Sequence, residues 1–227
     1  MSAAVRNVID DAQGIISEVP GAGTQVYADD KMMRDVIRAF NAIFKKYDWD
    51  QYIEWRSLIL DGSTGKITTD SLSDVIDFED IRGVYRDGES RPLPLAAKSL
   101  NPFSYTAAGG SAKLWRSLPV TDADYVSKKF SVLPVTAEGT INLCVKVYPN
   151  PNEGDWTFDS VMYLDRDMLA YMTAFVTLIS DGLNPDAAEI AKNMMEMKYK
   201  DIIAMLAGRP VALHGHGGIV NDWTQVP

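Results

Sequence analysis

The stretch DRDMLAYMTAFVTLISDGLNPDAAEIAKNMMEMKYKDIIAML, residues 165–206, decides the fold. Met168, Leu169, Met172, Phe175, Val176 and Ile179 recur at helical spacing, so residues 165–181 read as a helix with an apolar stripe. Asp165 can cap its start and Asp181-Gly182 breaks it. Asn184 can cap a second helix over 185–206, with Pro185 in the first turn, where a missing N–H costs nothing. Ala188, Ala191, Met195, Ile202 and Leu206 line one of its faces, and Gly208 and Pro210 stop it. Two such helices must bury their stripes against something else.

The partners lie at the other end of the chain. Val5, Val8, Ile9, Ala12, Ile15, Ile16 and Val19 predict a helix over 3–19, ended by Pro20-Gly21-Ala22-Gly23. Met33, Val36, Ile37, Phe40, Ile43, Phe44 and Tyr47 predict another over 30–47, with Asp29 able to cap it. Between the helix pairs, residues 49–148 read as a β region. Trp49 to Leu60 is a strand closed by Asp61-Gly62. Ile81–Tyr85 and Arg91–Leu95 form a hairpin about Asp87-Gly88. Tyr125–Val135 and Thr140–Tyr148 form a second, turning at Glu138-Gly139, with Ile141, Leu143, Val145 and Val147 on one face. Residues 98–123, with Asn101-Pro102, Gly109-Gly110 and Pro119, read as a long loop. The predicted fold is α+β. Amphipathic helices from both chain ends pack as a helical core, an antiparallel β region is inserted between them, and residues 1–207 make one domain. Residues 208–227 follow as an extended arm.

Composition narrows the function. The formal net charge of −9 argues against gripping DNA through its phosphates, and duplex binding is expected to be weak at physiological salt. The single cysteine, Cys144, rules out a disulfide within the chain and favours a reducing compartment. Residues 1–19 carry Asp10, Asp11 and Glu18 and lack the basic start and apolar run of a signal peptide. No stretch has the apolar length of a membrane span. The expectation is a protein made in the cytoplasm that does not enter membranes.

The chain is poor in catalytic groups. His214-Gly215-His216 holds its only histidines, two adjacent ligands with no distant partner to complete a metal site. Cys144 has no recognisable base or cation to activate it and reads as a structural thiol. Gly109-Gly110-Ser111 is not a nucleophile elbow, and Gly21-Ala22-Gly23 has Val26 where a dinucleotide fingerprint needs its third glycine. Asp29-Asp30 and Asp122 with Asp124 lack calcium-loop spacing. No catalytic residue, cofactor or metal is predicted, and no enzymatic activity.

Trp49, Tyr52, Trp55, Trp115, Trp156 and Trp223 could form a glycan-binding platform, but core packing and subunit contact are the plainer uses. Met168, Met172, Met194, Met195, Met197 and Met205 cluster in the last two helices, where adaptable packing or a helix-helix interface is the plain reading. The arm carries Val211, Leu213, Ile219, Val220 and Trp223, poor residues to leave in water but good anchors. They are the predicted interface, with a neighbouring subunit or another protein as the partner.

The layout resembles the head-to-tail adaptor (connector, or head completion) proteins of tailed bacteriophages. The resemblance rests on the helix Met33–Phe44 running into Tyr47-Asp48-Trp49 and on the hairpin segment Ile81-Arg82-Gly83-Val84-Tyr85-Arg86-Asp87-Gly88, with Pro92 and Pro94 close by. It continues in Val145-Lys146-Val147-Tyr148-Pro149-Asn150-Pro151 and in the closing helices Asp165–Asp181 and Pro185–Leu206. It spans roughly Val5 to Leu206, and the 98–123 loop exceeds the family minimum. It implies a homo-oligomeric ring, commonly of twelve subunits, docked under the portal protein in the virion, so the expected partner of the arm is portal or a neighbouring subunit. Such a ring joins the DNA-filled head to tail or nozzle proteins, and DNA passes through its channel without specific binding. Another tail component, such as a tail-completion or nozzle protein, is the alternative, and a glycan-binding module a third.

Overall fold

A computed structural model describes residues 2–18, 26–61, 81–97, 100, 110–117, 130–134, 136–149, 153–182 and 185–207. The elements in chain order are β1 (Ala3–Ala4), α1 (Val5–Glu18), α2 (Asp29–Lys46), a 3-10 turn (Asp50–Tyr52), β2 (Ile53–Asp61), β3 (Ile81–Arg86), β4 (Leu114–Ser117), β5 (Phe130–Leu133), β6 (Glu138–Lys146), β7 (Val161–Met162), α3 (Arg166–Asp181) and α4 (Pro185–Ala207). The chain divides into two compact units, one built from residues up to Gln51 and from 153 onward, the other from Tyr52 to the end of the β region.

The helical unit is the predicted core of an α+β fold. α1, α2 and α4 all pack against α3. This changes one expectation. α3 has no single stripe: Met168 to Ala170 and Met172 to Leu178 are buried, Thr173 and Thr177 among them, because helices cover it from three sides. Ile179, expected inside, is exposed near the helix end.

The ends of α3 follow the sequence closely. Asp165 accepts a hydrogen bond from the Met168 N–H at 3.0 Å, satisfying one otherwise unpaired helix donor. Gly182 closes the helix in the left-handed region, φ 62°, its N–H donating to the Ile179 carbonyl. Asp29, expected as a cap, instead lies inside the first turn of α2, where Ala28 occupies the cap position without a side-chain bond. The Asp29 carboxylate faces Arg6 at 2.9 Å.

Polar contacts tie the two chain ends together. β1 pairs antiparallel with β7, and the Val5 and Arg6 amides donate to Ser160 and Phe158. Arg166 Nη2 donates to Asp11 Oδ1 at 2.7 Å, with a second bond from Nε. The Lys31 ammonium lies 2.7 Å from Asp181 and stacks over the Tyr27 ring. Asp35, buried to 2%, accepts from the Thr177 hydroxyl at 3.0 Å.

In the β unit, β6 is the central strand of an antiparallel sheet ordered β2-β6-β3. Leu58, Leu60, Ile81, Val84, Ile141, Leu143 and Val145 form one apolar face, and Leu93, Ala112, Trp115, Val132 and Ala137 cover it. A second antiparallel pair, β4 and β5, supplies Trp115 and Val132 to that core. The Trp115 indole donates to the Leu93 carbonyl at 3.0 Å.

Three strand pairings differ from expectation. The 81–95 hairpin turns at Asp87-Gly88, but its return leg is joined to β3 only by the Tyr85–Pro92 bridge and the Leu93 N–H donating to Val84, while Leu95 pairs with Trp115 of β4. Pro92 and Pro94 have no N–H with which to extend a ladder. The expected 125–148 hairpin does not form. β5 pairs with β4, and β6 lies between β2 and β3. The 98–123 loop therefore contains a strand, β4. Trp49, expected in a strand, precedes the 3-10 turn and is buried in the helical unit, its indole donating to Ile43 and its ring meeting Tyr199 edge-on.

Candidate functional site

The predicted interface residues Val211, Leu213, Ile219, Val220 and Trp223, and the pair His214 and His216, lie outside the described residues, as do Asp122 and Asp124. Cys144 is buried in β6 on the face opposite Leu143 and Val145, in line with a structural thiol. Among the described residues no three His, Cys, Asp or Glu side chains gather as a metal site. No described helix is long and apolar enough to cross a membrane.

The described tryptophans do not form a platform. Trp49, Trp115 and Trp156 are buried, Trp156 against Phe40. Trp55 alone of the described four is exposed, at 60%. Register explains its setting. Trp55 on β2 stands opposite Cys144 on β6, which stands opposite Gly83 on β3. Gly83 has no side chain, and the Tyr85 ring folds back over it until its centroid is 5.1 Å from that of Trp55. The two rings lie over the buried thiol. Burial pushes the Tyr85 hydroxyl up, with a smaller contribution from Cys144. Exposed Ile59 lies two residue pairs further along the same face.

The helical unit carries two other surface features. Asp10, Asp11 and Glu18 of α1 and Asp167 of α3 line a shallow polar groove with Arg166. The hydrogen bond that Arg166 donates to Asp11 is the largest influence raising its guanidinium above the usual value. This groove holds a compensated ion pair rather than an ion-binding cage. The second feature is apolar. α4 buries Ala188, Ala191, Met195 and Tyr199 against the unit, yet its opposite face shows Ile190, Met197 and Met205 to solvent at 46%, 59% and 62%. Met194, half-buried, and Ala204, exposed, share that face. Ile190, Met194, Met197 and Ala204, spaced four, three and seven apart, stand in one line, with Met205 beside it. The methionines fit adaptable packing or a helix-helix interface, but the mixture of Met and Ala around the whole of α4 hides its second apolar face from the sequence.

The described surface thus offers apolar contact area on α4 and on the outer face of the β2-β6-β3 sheet. No family model matches the chain, and no curated protein matches it.

Proposed function

We propose that the protein is a structural subunit of a tailed-phage virion, a head-to-tail adaptor that assembles as a ring beneath the portal. The observation that supports this best is the layout of the chain. Helices from both ends close on α3, while the described residues between Tyr52 and Pro149 form a separate β unit. That order of two helices, a β region and a closing helix pair is the layout on which the resemblance rests, and it supports the reading. The unpartnered apolar face of α4 supports it further, because a ring subunit must present contact surface to its neighbours. A net charge of −9 suits a channel past which DNA slides. Tail or nozzle proteins would bind below the ring.

Negative-stain imaging of the purified protein, alone and mixed with the portal of the same phage, tests the proposal. Rings or portal-bound collars are expected. A monomer that ignores portal and tail proteins refutes it, and glycan binding by such a monomer would favour the module reading carried by Trp55.

A further inference from the structure

We infer that the outer face of the β2-β6-β3 sheet is a binding site for a neutral glycan, with Trp55 and Tyr85 as its stacking surface and Asn142 and Asp87 as its hydrogen-bonding groups. The site lies wholly within the β unit and goes beyond the adaptor reading, which does not call for it.

Strand register builds the site. Three rows cross the sheet on the side away from its core. The first is Trp55, Cys144 and Gly83, and the second is Ser57, Asn142 and Tyr85. The third holds Ile59 and Thr140, with the Asp87 N–H donating to the Thr140 carbonyl at 3.2 Å. Successive rows stand about 7 Å apart, two residues of strand. The Tyr85 side chain leaves its own row. A Cβ at position 83 would come within 2.7 Å of its ring and 3.1 Å of its hydroxyl, so it is the glycine that lets the ring lie beside Trp55. The two ring centroids are 5.1 Å apart and the planes meet at 54°. The rings are thus gathered in the first row, and the polar groups are left in the second and third.

Those polar groups hold one another in place. The Ser57 hydroxyl donates to Asn142 Oδ1 at 2.6 Å, and Asn142 Nδ2 donates to Asp87 Oδ1 at 3.2 Å. The Asn142 amide is therefore oriented, with a second N–H still to give, and Asp87 keeps a second carboxylate oxygen to accept. Among the described residues, the Trp55 indole N–H and the Tyr85 hydroxyl have no hydrogen-bond partner either.

A pyranose with equatorial hydroxyls matches this division. Its axial C–H groups form an apolar face that stacks on an aromatic ring, while its hydroxyls project from the rim toward donors and acceptors. Trp55 offers its ring at 60% exposure. A protein partner would want the rings and exposed Ile59 as one apolar patch, but the Ser57–Asn142 row stands between them. Anionic ligands fit poorly. The three rows carry one carboxylate and no cation, and Lys146, in the adjoining row opposite Ile53, is buried to 1%. Nucleic acids and acidic sugars are set aside on that ground. The first and third rows are about 14 Å apart, which suits an oligosaccharide rather than a single sugar.

The test titrates full-length protein with cellotetraose and with tetra-N-acetylchitotetraose. Calorimetry gives the affinity, and saturation-transfer NMR from the aromatic protons reports which sugar protons touch the rings. Millimolar or tighter binding of at least one probe is expected, with the strongest transfer to axial C–H protons. Trp55→Ala should weaken it about 10-fold, and Asp87→Ala several-fold, whereas Ile59→Ser should leave it unchanged. All three positions are exposed, and circular dichroism checks that each variant keeps its fold. The inference is overturned if neither probe binds, or if Trp55→Ala binds like wild type. It is equally overturned if Ile59→Ser loses as much as Trp55→Ala, or if a heparin tetrasaccharide binds as tightly as the neutral probes. The titration reads the same in a monomer and in a ring, so failure of the adaptor reading leaves this site standing.

Discussion

Replacing Asp35 by Ala probes the join between the chain ends. Asp35 on α2 is buried to 2% and accepts from the Thr177 hydroxyl of α3 at 3.0 Å. Lys31 and Arg38 approach its carboxylate at 3.5 and 3.7 Å. A hydrogen bond to a charged group contributes about 1.5–3 kcal/mol. Two effects reduce the loss. Lys31 is part-exposed and keeps Asp181 at 2.7 Å, so it is not left as an uncompensated charge. The freed Thr177 hydroxyl can turn to the carbonyl four residues back, as Thr173 already does toward Leu169. The net loss for Asp35→Ala is therefore about 2 kcal/mol, below the ~3–5 kcal/mol of breaking a fully buried pair. For a chain of this size that lowers Tm by about 4–8 °C. Thr177→Val should cost about the same, and the double variant little more than either alone, a coupling of about 1.5 kcal/mol. Thermal melts at 222 nm, which read the helices, provide the measurement. An Asp35→Ala melt within about 1 °C of wild type, or a double variant whose loss is the sum of the singles, would refute the reasoning.

Asp165→Ala removes the α3 cap and should cost about 1 kcal/mol, seen as a shift of about 2–4 °C in the same melt, with Asp165→Asn restoring most of it. Tyr27 is pushed up to about 12 by burial first and then by its hydrogen bond to Asp181. The folded state therefore holds this proton more tightly than the unfolded chain. Stability should be intact below about pH 10 and fall as pH rises toward 12, and Tyr27→Phe should flatten that fall in denaturant titrations. Gly83→Val places a Cβ 2.7 Å from the Tyr85 ring, which must then leave Trp55. A change in Trp55 emission is expected that Gly88→Ala, in an open turn, does not produce.

The helices were legible because their apolar spacing, capping Asp165 and breaking Gly182 are local signals that packing merely completed. The β region was read less well for a physical reason. Thr140–Tyr148 showed its alternation plainly, but which strands flank it depends on long-range pairing, and the nearest strand in sequence, β5, went instead to β4. β4 itself is only Leu114–Ser117, too short to display a period. In α3, Thr173 and Thr177 lie off the expected stripe, yet each hydroxyl finds an acceptor, at Leu169 and Asp35, so both can be buried. Of the site, the methionines of α4 were visible as residues, but their division into an inward and an outward line needed the packing. The proposed anchors in 208–227 fall outside the described residues.

The central place of α3 also sets a schedule for synthesis. α1 and α2 leave the ribosome first, with their apolar faces complete, but the helix that covers both begins at Arg166. Roughly 120 residues separate Lys46 from Arg166, and at about 5–20 residues per second the nascent chain waits about 6–24 s for its core. Throughout that interval Phe40, Ile43 and Phe44 have only α1 to shelter them, while the β unit, whose ladder residues all fall between Ile53 and Lys146, can finish first. The half-made chain is thus a folded β unit trailing an open helical hairpin, the species most prone to aggregate or to recruit a chaperone. Slow codons placed before residue 166 should lower soluble yield, whereas the same codons after α4 should not.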